Sequence, residues 1–86
     1  REPGIDDGVR AAEAGNWDQA EGHWAKVLER DKDNAVALYN MGVAFERRGG
    51  RNNLSKAYDY FTTASIQVDD KAYRAAVTRV LIRMKE

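Results

Sequence analysis

The stretch Asn34 to Arg48, NAVALYNMGVAFERR, constrains this chain more than any other. Leu38, Met41, Gly42 and Phe45 recur at i, i+3, i+4 and i+7, the spacing that lines one face of an α-helix. Val36, Tyr39 and Val43 fall on a second face, roughly a quarter to a third of a turn away at the helical period. Only Asn40, Glu46, Arg47 and Arg48 are plainly polar within it. A helix apolar on two faces cannot lie on the outside of a domain. It must be packed from at least two sides, or from one side with something to bind on the other. Asn34 is a good N-cap, and Gly49-Gly50 can supply the left-handed residue that ends a helix.

The same periodicity predicts four further helices. The first runs from about Ile5 to Ala14, with Pro3-Gly4 before it, Asp6 and Asp7 in its first turn and Gly15 at its exit. Its apolar residues are Ile5, Val9, Ala11 and Ala12. The second runs from about Trp17 to Arg30. Asn16 and Gln19 resemble a capping box at its start, and Trp17, Ala20, Trp24, Val27 and Leu28 form its inward stripe. Arg51-Asn52-Asn53 reads as loop by composition. A fourth helix then runs from about Leu54 to Val68, with Leu54, Ala57, Tyr58, Phe61, Ala64 and Val68 inward. Asp69 and Asp70 suit the cap of a last helix, about Lys71 to Lys85, with Tyr73, Ala76, Val77, Val80, Leu81 and Met84 inward and Arg74, Thr78, Arg79 and Lys85 facing away. No segment alternates with period two, so no sheet is expected. Five helices joined by short turns give an all-α fold of antiparallel neighbours.

Composition excludes more than it selects. Eighty-six residues make one small domain, spanning 1–86. Apolar residues are 43 % and charged ones 33 % of the chain, an ordinary globular mix. There is no apolar run long enough for a transmembrane helix and no signal-peptide pattern, so the compartment stays open. The start at Arg1 rather than Met leads us to expect a fragment or a processed form. With no cysteine and one histidine, a transition-metal site has too few soft ligands. Asp31-x-Asp33-Asn34 lacks the glycine and the bidentate glutamate of a calcium loop, and Gly49-Gly50-Arg51 is not followed by the Lys-Ser/Thr of a phosphate loop. His23, beside Trp24, is read as structural and half exposed. We therefore expect no catalytic residue, no metal and no cofactor. The net charge is zero, but residues 1–34 hold 5 Lys/Arg against 9 Asp/Glu and residues 35–86 hold 9 against 5. The basic half could meet an acidic partner; a nucleic-acid stripe of Arg47, Arg48, Arg51, Arg74, Arg79 and Arg83 sits poorly with overall neutrality.

The chain also repeats itself. Gly8-Val9 recurs as Gly42-Val43, a spacing of 34 residues. Ala20-x3-Trp24-x2-Val27 recurs as Ala57-x3-Phe61-x2-Ala64, a spacing of 37. The unit is a helical hairpin, and the second copy carries three extra residues at Gly49 to Asn53. Gly8 and Gly42 let the paired helices approach, with Ala20 and Ala57 as small partners, while Trp24 and Phe61 fill the gap between successive hairpins. One hairpin cannot bury its own face, whereas a stack of them can.

On these residues the sequence resembles the tetratricopeptide repeat family. Leu38-x2-Met41-Gly42-x2-Phe45 matches its W-x2-L-G-x2-Y element with conservative exchanges, and Ala20-x3-Trp24 and Ala57-x3-Phe61 match its A-x3-F element. Gly15-x-Trp17 is similar to its inter-helix turn. The first helix departs, with Ala11 at the Tyr position, and the closing Pro is absent from both copies, with Lys32 and Asp69 near those places. The resemblance implies an α-solenoid: repeat 1 at about 4–34, repeat 2 at about 35–69 and a capping helix at about 70–86. It also implies a concave groove that holds a partner peptide or helix. By position, that groove would be lined by Ile5, Val9, Ala12 and Glu13, by Tyr39, Asn40, Val43 and Arg47, and by Tyr73 or Arg74, Ala76 and Val80. Some members clamp a C-terminal carboxylate. Asn40 occupies one clamp place, but Ile5, Val9, Tyr73 and Val77 stand at the others, which argues against that mode. The expected function is a non-catalytic protein-interaction scaffold or adaptor. Self-association through the groove and a basic surface for nucleic acid or another anionic partner are the alternatives.

Overall fold

The structure, a computed structural model, describes residues 3–86; the domain span 1–86 includes Arg1 and Glu2, which lie outside the described residues. Five helices follow one another: α1 (Pro3–Glu13), α2 (Trp17–Arg30), α3 (Ala35–Arg48), α4 (Arg51–Gln67) and α5 (Lys71–Lys85). Among the described residues there is no strand, and no helix is long and apolar enough to cross a membrane.

Each helix packs on the next in chain order. In the first hairpin, Gly8 lies against the Trp24 ring, and Gly4, one turn earlier, lies against Val27, nearly one turn later. Positions that fall along α1 while rising along α2 mean an antiparallel pair. In the second hairpin, Gly42 lies against the Phe61 ring in the same way. The rings thus sit within their own hairpins, opposite the glycines, which adds to the expectation that they fill the gap between successive hairpins. Trp24 does both. It is also buried with Ile5, Ala20, Val27, Ala37, Met41 and Ala44, a cluster that joins α1 and α2 to α3.

The central helix is packed from two sides. Ala37, Met41 and Ala44 enter the cluster with α2, while Gly42, Tyr39 and Val43 face α4 and α5. Val36, expected on the second face, is 45 % exposed. It sits in the first turn of α3. A second buried cluster, Leu54, Ala57, Phe61, Ala76 and Val80, holds α5 to α4. Val68 is exposed, because it is the residue that leaves α4 in an extended conformation.

Two helix starts differ from the sequence reading. Asn16 makes no side-chain cap. Its backbone N–H is drawn back to the Ala11 carbonyl at 2.8 Å as α1 closes through Gly15, at φ 85°. This is the closing pattern of a helix that ends on a left-handed residue, and it sets the Asn16 backbone by the end of α1. Residues 51–53, expected as loop, are the first turn of α4. The turn is Gly49-Gly50 alone, both at positive φ (72° and 81°), a conformation that glycine adopts without a Cβ penalty. The Asn53 amide donates to the Gly49 carbonyl at 2.9 Å and secures the start. The three extra residues of the second hairpin therefore lengthen a helix, 17 residues in α4 against 14 in α2, and do not enlarge a loop.

Candidate functional site

On α3 the residues Asn40, Val43 and Arg47 follow at i, i+3 and i+7, which puts them in one stripe. The structure brings part of that stripe to α1. Val9, Ala12 and Glu13 of α1, Asn40 and Val43 of α3, and Trp17 and Trp24 of α2 line one open cleft of about 270 Å³. Val9 is 37 % exposed and Trp17 is half-buried, so the cleft offers apolar surface to solvent. Trp24, 2 % exposed and donating its indole N–H to the Ile5 carbonyl at 3.3 Å, is a rigid part of its wall. Arg47 lies at the next concavity. Its guanidinium sits 4.5 Å from the Trp17 ring centroid, and it lines a polar depression with Gly15, Asn16, Trp17, Asp18 and Gln19.

Other candidates are placed elsewhere. Ile5 is 4 % exposed and belongs to the core of the first hairpin. It shares a stripe with Val9, but α2 covers that end of α1, so Ile5 is not groove lining. Val80 is fully buried between α5 and α4, with Ala76 beside it, and is not groove lining either. Tyr39 and Tyr73 are brought together by α3 and α5 but satisfy one another. Their rings stack at 4.8 Å with 25° between planes, and Tyr39 also meets Phe61 at 5.3 Å. Burial, then the nearby Asp70 carboxylate and Tyr39, push the Tyr73 phenol above its ordinary value. Both tyrosines are packing residues between α3 and α5.

The sequence reading turned Arg79 away from the domain, whereas it crosses to α3. Its Nε and Nη2 donate to the two carboxylate oxygens of Glu46 at 2.7 Å each, and Arg83 reaches Glu46 at 3.4 Å and its carbonyl at 3.3 Å. The Arg79 hydrogen bonds, opposed by burial and helped by the charges of Arg79 and Arg83, hold the Glu46 carboxyl below its usual 4.5. A depressed folded value means stability that is full above the unfolded pKa and is lost as pH falls through the folded one. Glu46→Gln should therefore cost on the order of 1 kcal/mol or less at neutral pH, since the arginines are half exposed. It should also flatten the acid limb of a urea-midpoint profile between about pH 5 and about pH 2. Parallel profiles for parent and variant would show that this pair contributes nothing.

Another concavity, of about 410 Å³, lies between α3 and α4, lined by Leu38, Phe45, Lys56, Asp59, Tyr60 and Thr63. Phe45 and Tyr60 stack there at 5.6 Å, with Arg48 and Lys56 over Phe45. Arg48 is tied to Glu21 of α2 at 2.6 Å, so these groups fasten α2 to α3. His23 lies away from both, in a depression with Pro3, Gly4, Asp7, Lys26 and Arg30. The described residues hold no cluster of His, Cys, Asp and Glu that could grip a metal ion.

Fold and cleft together define an all-helical domain of five helices with an open apolar cleft between its first three. The chain belongs to the DUF6340 family, a domain of unknown function, whose family model matches residues 6–84 and so takes in parts of all five helices. Neither the comparison with curated proteins nor that with solved structures finds a match.

Proposed function

We propose that this domain is a non-catalytic protein-interaction module that docks a partner peptide or helix in the cleft between α1 and α3. The observation that carries the reading is the cleft itself. Val9, Ala12, Val43 and Trp17 present apolar surface in a concavity the chain does not fill, with the Asn40 amide among them. Such a surface gains free energy when a partner's apolar side chain covers it, and a single amide there can pair with a peptide backbone. The α-solenoid reading, two tetratricopeptide-like repeats closed by α5, is part of the proposal. It is supported by the recurrence of one packing device, a helix glycine beneath the ring of the following helix, at Gly8–Trp24 and Gly42–Phe61. In that arrangement the first helices of successive hairpins share the concave side, which is where Val9 and Val43 meet.

A photo-crosslinking residue in place of Val9 tests this in the native host. It should capture a discrete adduct containing a second protein, and the same residue in place of the exposed Glu29 should not. An adduct from both positions, or from neither, would overturn the reading. An adduct of the domain with itself would replace it with self-association.

A further inference from the structure

We infer that the cleft is one half of a two-part site for an acidic peptide segment: the apolar half takes an aliphatic side chain, and Arg47, set against the Trp17 ring, takes a carboxylate of the same segment. This rests on the docking reading above and adds the chemistry of the partner. Trp17 is the shared wall, since it lines both the apolar cleft and the polar depression that contains Arg47. Arg47 stands apart from the other arginines of α3 and α5. Arg48 is paired with Glu21, Arg74 with Asp69, and Arg79 and Arg83 with Glu46. Among the described residues, Arg47 has the Trp17 ring and no ion pair.

That contact decides what Arg47 can do. A guanidinium lying over a ring uses its face, while its N–H donors all point outward in its own plane. The Arg47 guanidinium carbon lies 4.5 Å from the Trp17 ring centroid and no carboxylate of the described residues pairs with it, so its N–H donors can meet the two oxygens of a partner's carboxylate. Carboxylates of the chain set the direction of the segment. Glu13 lines the apolar cleft on the α1 side with no ion pair among the described residues, whereas Asp18, which lines the depression with Arg47, is already paired with Arg48 at 3.6 Å. An acidic partner residue over Glu13 would be repelled, so the acid must lie toward the C-terminal end of α3, where Arg47 is, and the aliphatic residue toward Val9 and Val43.

Selection of a random-peptide display library on the isolated domain tests this. Enriched peptides should pair an aliphatic residue with a nearby Asp or Glu. Arg47→Gln should weaken a synthetic representative by about tenfold, the effect of one lost charge-assisted hydrogen bond. Amidating the peptide's acid should do the same, and the two changes should not add. Val9→Asp should abolish binding. Both positions are exposed, so thermal melts by circular dichroism should show both variants folded. Peptides that lack an acid, or that bind Arg47→Gln as well as the parent, while still failing on Val9→Asp, would overturn the Arg47 assignment and leave the cleft reading standing. Peptides indifferent to both variants, or no enrichment, would overturn both. A dimer of the domain dissociated by Val9→Asp would make a second copy the occupant and would overturn the assignment too.

Discussion

Trp24→Ala should lower the stability of the domain by about 3–5 kcal/mol, the cost of deleting a large buried aromatic side chain. Trp24 is 2 % exposed and touches all three of the first helices: Gly8 and the Ile5 carbonyl of α1, Trp17 of its own helix at 6.4 Å, and the buried cluster that includes Ala37, Met41 and Ala44 of α3. Gly8, Ala20, Ala37 and Ala44 among its neighbours have no side-chain length to collapse into the space it would leave, and Ile5, Val27 and Met41 could fill only part of it. The cavity term therefore adds to the lost transfer energy in place of being relaxed away. A domain of 86 residues has a total stability of roughly 4–13 kcal/mol at ordinary values per residue, so the loss is a large share of the whole. At about 4–8 °C per kcal/mol for this size, the thermal midpoint should fall by more than about 12 °C. Trp24→Phe, which keeps most of the ring in place, should recover most of that. A Trp24→Ala protein melting within a few degrees of the parent would mean that α1 and α3 do not meet across this ring.

What could be read from the sequence, and what could not, separates along one physical line. The position of a residue around its own helix follows from the 3.6-residue period, and those assignments hold for the most part. Leu38, Met41 and Gly42 are buried, and Asn34 and Asp70 cap their helices through Ala37 N–H at 3.0 Å and Ala72 N–H at 2.7 Å. The roll of each helix against its neighbours does not follow from any period. Ile5 and Val9 share a stripe, yet α2 covers only Ile5, and Val80, expected on the groove, is turned into α4 by the roll of α5. Hence only part of the candidate site was legible: Val9, Asn40 and Val43 come together, while Tyr39 and Tyr73 close on each other. The Glu46–Arg79 pair lies 33 residues apart with no local pattern to announce it. The period marks Trp17 as an inward residue, and a period alone does not show that it forms the wall between two concavities. Helix starts failed for a different reason. Asn16 and residues 51–53 carry cap and loop composition, but the backbone bonds that close α1 and the Gly49-Gly50 turn decide what they do.

Gly42→Ala and Gly22→Ala should change stability in opposite directions, although both replace a glycine inside a helix. Helix propensity favours alanine by about 1 kcal/mol at either position, because glycine loses more backbone freedom on folding. At Gly22 nothing lies within 4 Å of the new methyl group, so the propensity gain should be realised, about 0.5–1 kcal/mol. At Gly42 the methyl carbon would lie 2.5 Å from Cε1 and 2.6 Å from Cδ1 of Phe61. Phe61 is fully buried among Leu54, Ala57, Ala76 and Val80 and has no room to retreat. Overpacking of this kind costs about 1–3 kcal/mol or more, enough to outweigh the propensity gain. The two residues should therefore be coupled. In a Phe61→Leu background, where the ring edge is gone, Gly42→Ala should lose most of its penalty, and a double-mutant cycle by urea denaturation should return an interaction of at least about 1 kcal/mol. Additive effects would mean that α3 and α4 are not held at the separation this glycine permits. The same close approach at Gly8, where an added methyl group would collide with the Trp24 indole, would then be in question with it, and with both the repeated packing device that supports the solenoid reading.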